Sequence, residues 1–181
     1  MTAPPSSSMI IATFIGAGAT LKLADQTGED KRSKIGYITA IVAGVLLGSL
    51  TSYGPEESGI VAGIVIGVAL ARKIDRPNLL LGLLVTVASA YALGFETPKL
   101  WIILLIAVIS LLDELGHDRL GQRKSPLGLF FRYRGALKVA FPVGAITSFV
   151  SATAAVGFLG FDVAYEAMNK LLSRKNGHWT T

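Results

Sequence analysis

The chain has no cysteine. Disulfides, thiol nucleophiles and cysteine-ligated metals are therefore excluded. Histidine is almost absent too. His117 and His178 are the only two, which argues against a multi-histidine metal site. Charge is scarce: 16% of residues are charged, against about 25% in a soluble domain. The start of the chain, Met1 to Ser8, contains no Lys or Arg. A cleaved signal peptide needs a basic first segment, so the first apolar run is kept as a span and residues 1–8 are expected to be a disordered N-terminus.

What the chain has instead is apolar sequence, 51% of its residues, in long runs separated by short polar punctuation. A bilayer core of about 30 Å takes about 20 helical residues to cross. The runs lie at residues 9–24, 35–53, 59–71, 79–95, 100–115 and 139–161. They predict an all-α fold, a polytopic transmembrane bundle of about six spans over residues 9–161. Gly54-Pro55 and Pro77-Asn78 mark turns, because Gly and Pro break helices there. From residue 162 the pattern becomes amphipathic. Val163, Ala164, Ala167, Met168, Leu171 and Leu172 share one helical face, and Asp162, Glu166, Asn169 and Lys170 take the other. That pattern fits a C-terminal helix lying on the membrane or on the bundle.

The net charge of +5 resides in loops, so membrane topology explains it and no nucleic-acid partner is expected. Lys31, Arg32 and Lys34 follow the first run, and Arg72, Lys73 and Arg76 the third. Arg119, Arg123, Lys124, Arg132 and Arg134 follow the fifth. The opposite loops contain one base, Lys99. The positive-inside rule then places the N-terminus outside and the basic loops in the cytoplasm of a multi-pass cell-membrane protein. Six spans would leave Lys170, Arg174 and Lys175 outside; a re-entrant or seventh segment between Pro142 and Phe161 would bring them back. Glycines recur at helical spacing, as Gly44 and Gly48, and as Gly59, Gly63 and Gly67. Such faces allow close helix packing in lipid, either inside one chain, the preferred reading, or in a homo-oligomer.

Seven of the twelve acidic residues join the bases on the cytoplasmic side: Asp25, Glu29, Asp30, Asp75, Asp113, Glu114 and Asp118. Positive-inside does not account for them. Asp25-Gln26-Thr27-Gly28-Glu29-Asp30-Lys31 and Asp113-Glu114-Leu115-Gly116-His117-Asp118-Arg119 both read Asp-x-x-Gly-x-Asp followed by a base, the pattern of a degenerate internal repeat. If the helix runs on through each motif, positions i, i+1, i+4 and i+5 share a face. Carboxylates with substrate phosphates are the ligands Mg²⁺ takes. Asp25, Asp30, Asp113, Glu114 and Asp118 are accordingly candidate metal ligands, and Asp113 and His117 candidate catalytic groups. Lys22, Arg72, Lys73, Arg76 and Arg132 are candidate contacts to a substrate phosphate.

The two acidic motifs, four spans apart at one membrane face, resemble in layout those of UbiA-type intramembrane prenyltransferases. The resemblance implies Mg²⁺-dependent chemistry on an isoprenoid diphosphate or another phosphorylated membrane lipid. The reaction would be a transferase or phosphatase step on a lipid phosphate. A small transporter or channel is the alternative, and a structural subunit of a membrane complex is the third reading.

Overall fold

The computed structural model describes residues 5–28 and 34–175. Among them there are eight helices and no strand: α1 Ser7–Thr27, α2 Lys34–Thr51, α3 Pro55–Leu70, α4 Pro77–Leu93, α5 Leu100–Leu120, α6 Pro126–Arg132, α7 Gly135–Ile146 and α8 Ala152–Lys175. Their starts follow local chemistry. Ser6 accepts a hydrogen bond from the Met9 N–H at the head of α1, and Ser125 from the Gly128 N–H at the head of α6. Pro55, Pro77 and Pro126 occupy first helical positions, where proline's missing N–H costs nothing.

Close approaches at small residues fix the direction of each helix. Gly59, Gly63 and Gly67 of α3 meet Ile102, Ile106 and Ser110 of α5 in that order, so α3 and α5 run parallel. Gly44 and Gly48 of α2 meet Val85 and Ser89 of α4, again in parallel. At one end of the bundle the Ser7 and Thr153 hydroxyls hydrogen-bond, and at the other Gln26 bonds Asn169, so α8 runs alongside α1 in the same sense. A Cβ on Gly67 would lie 2.6 Å from the Ser110 Cβ. The glycine faces expected to allow close packing are thus filled by other helices of the same chain.

The apolar run at 139–161 does not form one helix. α7 ends at Ile146, the chain turns through residues 147–151, and α8 runs back. Ser148 takes a left-handed φ of 59°, and the Phe149 and Val150 N–H groups both bond the Gly144 carbonyl. The Ser151 side chain then accepts from the Ala154 N–H at the head of α8, a position where serine is favoured because its oxygen satisfies an orphan donor. α8 also runs unbroken through residue 162, so the amphipathic segment expected as a separate C-terminal helix is its second half. Residues 7 and 8, expected to be disordered, belong to α1. Residues 176–181 lie outside the described residues.

Three helices, α1, α2 and α5, are long and apolar enough to cross a membrane, and α4 and α7 are shorter apolar helices. Their outward faces are exposed and apolar: Ile38 and Val45 on α2, Leu84 and Val87 on α4, Leu104 and Val108 on α5. Water does not tolerate apolar surface of that extent; a bilayer does. The buried core is mainly aliphatic, with an aromatic column on one side. Phe141 and Phe158 stack at 4.0 Å between ring centroids, and Phe158, Phe161 and Tyr165 continue the column along α8.

Candidate functional site

The column borders a cavity of about 990 Å³ lined from α1 to α8, together with residues 73–76 and 133–134 between helices. Its two ends differ in chemistry. Leu47, Val61, Ile64 and Leu83 line the depth, and charged groups line the mouth. Phe14 and Asp25 both line it from α1, and at 1.5 Å per residue they stand about 16 Å apart along the axis.

At the mouth, Asp25 collects cations. Its carboxylate takes Lys22 Nζ at 2.9 Å and Arg76 Nη1 at 3.1 Å, and Arg76 also donates to the Asp25 backbone carbonyl. Lys22 and Arg134 both lie over the Tyr165 ring, 5.0 and 5.4 Å from its centroid, within cation–π range. Arg134 Nη2 reaches Glu114 Oε1 at 2.9 Å. Burial works against the charge on Arg134, but Tyr165, Glu114 and Asp25 outweigh it and hold the guanidinium pKa above its ordinary value. Its backbone is left-handed, with φ 51°, a conformation a residue other than glycine keeps only where its surroundings enforce it.

α5 continues as a helix through its acidic motif. Asp113, Glu114, His117 and Asp118 all line the cavity. Their surroundings differ. Asp113 is 1% exposed, and its two oxygens accept the N–H groups of Ala136 at 2.9 Å and Leu137 at 2.8 Å. It is the cap of α7, supplied from another helix. Asp118 is half-exposed and bonds Lys73 Nζ at 2.6 Å. Glu114 and His117 each retain a buried polar atom, Oε2 and Nδ1, without a hydrogen-bond partner.

Of the candidate phosphate contacts, Lys22, Lys73, Arg76 and Arg132 line the cavity. Arg132 ties its Nε to the Gly121 carbonyl. Arg72 is not among the lining residues and takes a left-handed φ of 59°. Asp30 and Glu29 lie outside the described residues. Among the described residues, no three His, Asp or Glu side chains converge to hold a metal ion. Asp25, Asp113, Glu114 and Asp118 accept from cations or N–H groups instead. Among the described residues, this arrangement does not assemble a carboxylate cage for Mg²⁺.

The structure adds Arg134, Tyr165 and a polar stripe on α8 to the site. Asp162, Glu166, Asn169 and Lys170 line the cavity, and Lys138 of α7 pairs with Asp162 at 3.1 Å and with Glu166. Their spacing is visible in the sequence as the polar face of an amphipathic helix; Asp162 and Glu166 of that face are half-buried at the cavity, and Asn169 and Lys170 line it while remaining exposed. The two acidic motifs share their close-packed glycine: Gly28 abuts the Asn78 side chain and Gly116 the Phe131 ring. No protein-family model, curated protein or solved structure matches the chain. The likeness to UbiA-type prenyltransferases rests on the two acidic motifs.

Proposed function

We propose that the chain is a multi-pass membrane protein that binds a phosphorylated lipid, with the lipid phosphate among Lys22, Arg76 and Arg134 and its chain in the apolar depth of the cavity. The observation that carries this reading is the cavity itself, with Lys22, Arg76 and Arg134 gathered at its mouth among carboxylates and mainly apolar side chains below them, from Leu21 down to Phe14, about 10 Å along α1. That matches an amphiphile with an anionic head. Arginine and lysine give a phosphate strong charge-assisted hydrogen bonds. Asp25 holds Lys22 and Arg76 in place, and an ammonium with three donors can serve a phosphate oxygen as well as a carboxylate. A phospholipid and an isoprenoid phosphate offer the same chemistry here.

Mass spectrometry of lipid extracted from the purified protein tests the reading. Retention of an anionic phosphorylated lipid through detergent exchange is expected. Protein that purifies without one, and whose melting temperature no added phosphorylated lipid raises, would overturn it.

In this reading the charged end is cytoplasmic and all helices except the short α6 pass through the bilayer. The seventh passage, α8, returns Lys170 to the side of the basic loops, as positive-inside prefers. A reporter fused at the C-terminus is expected on the same side of the membrane as one inserted at residues 121–125. Reporters on opposite sides would contradict the turn at 147–151.

A further inference from the structure

Glu114 and His117 stand three residues apart on α5, which puts them on one side of the helix, and both line the cavity. Glu114 is 5% exposed. Arg134 satisfies its Oε1 at 2.9 Å, but its Oε2 is buried and has no partner. The same holds for His117 Nδ1. Native proteins seldom leave a buried carboxylate oxygen unpaired, because it has lost water and gained nothing. Two residues one helical turn apart that line one cavity and each hold back a buried, unpartnered polar atom mark a place for ligand donors.

The neighbours decide which donors. Glu114 already has its counter-charge in Arg134, so what Oε2 lacks is a hydrogen-bond donor and not a second cation. An apolar group would leave both atoms unpaired. A hydroxyl is neutral, donates to a carboxylate, and can donate to or accept from an imidazole nitrogen in either tautomer. We infer that Glu114 and His117 form a hydroxyl-recognition site, which selects phospholipids whose headgroup carries free hydroxyls, as a glycerol headgroup does. This inference rests on the lipid-phosphate reading above and adds headgroup specificity to it.

The probes are short-chain phosphatidylglycerol and phosphatidylethanol. Both are singly charged phosphodiesters, and only the first bears headgroup hydroxyls. Titration into the detergent-solubilised full chain is expected to show phosphatidylglycerol binding about tenfold more tightly, a difference of about 1.4 kcal/mol. Glu114→Gln should abolish that preference. The guanidinium keeps the amide oxygen, so the NH₂ group, a donor, takes the place of the free acceptor. His117→Phe should reduce the ratio in the same direction, and it serves if Glu114→Gln fails to fold. Equal affinity of the wild type for the two lipids overturns the hydroxyl site and leaves lipid-phosphate binding standing. So does a ratio that neither variant moves. Binding of neither lipid by the wild type overturns both.

Discussion

Replacing Asp113 with alanine will detach α7 from α5 and lower the melting temperature of the detergent-solubilised protein by more than removal of any other acidic side chain at the charged end. A helix begins with N–H groups that its own carbonyls do not reach. At the head of α7 no local side chain serves them, because the cap position is Arg134 and contributes no side-chain acceptor. Asp113 supplies both acceptors from α5, at 2.9 and 2.8 Å, in a site 1% exposed. A negative charge at a helix N-terminus gains further from the helix dipole. Alanine leaves the buried Leu137 donor and the part-buried Ala136 donor unpaired, each costing about 1–3 kcal/mol, so the loss is about 2–6 kcal/mol. Asp113→Asn keeps one oxygen acceptor and should lose roughly half as much. An Asp113→Ala protein that melts within about 1 °C of wild type would show that the contact does not hold α7. The same measurement separates this role from a catalytic one, since a group needed only for chemistry leaves stability unchanged when removed.

That role is not legible in the sequence, and the reason is physical. Asp113 lies 23 residues before the N–H it caps, and no local pattern announces a cap supplied from another helix. Helix existence is legible wherever an apolar run meets its own punctuation. Pro55 and Pro77 open α3 and α4, and Gly28 closes α1. The apolar run at 139–161 conceals a turn because Phe149 and Val150 continue it through the reversal, and Val150 is itself part of the core. A signal for that turn is nonetheless present. Thr147, Ser148 and Ser151 cluster there, and a serine immediately before an apolar periodic segment marks a helix start. The acidic motif of α5 is legible as one helical face, because spacing along one helix needs only local geometry. Which partner each acid takes depends on α3, α7 and the segment before α7, and those approaches are set by packing. Tyr165 shows the same limit. Along α8 it is one aromatic in an amphipathic pattern, and only the placement of α8 against α1 brings Lys22 over its ring.

Removing the charge at Arg134 should weaken phosphorylated-lipid binding about 10- to 100-fold, and Lys22→Met should act in the same direction. A hydrogen bond to a charged group contributes about 1.5–3 kcal/mol, and about 1.4 kcal/mol is a factor of ten in affinity. Arg134→Met has a second consequence that must be separated from the first. It leaves Glu114, 6% exposed at its side chain, as a buried carboxylate without its cation, and breaking such a pair is costly in itself. The double variant Arg134→Met with Glu114→Gln removes both charges together. It should recover most of the melting temperature lost by Arg134→Met and none of the affinity for lipid phosphate. Arg134→Lys keeps the charge but loses the planar fork that can serve a carboxylate and a phosphate at once, so it should fall between wild type and Arg134→Met. Lys22→Met leaves Asp25 with Arg76, and the less neutralised carboxylate then opposes an incoming phosphate. Binding of a neutral acetylated diacylglycerol, which has neither a phosphate for these cations nor a free hydroxyl for Glu114, should change by less than about twofold in the double variant, since it engages the apolar depth. A double variant that melts like wild type and binds phosphorylated lipid equally well would remove Arg134 from the site and leave its left-handed backbone without a functional reason.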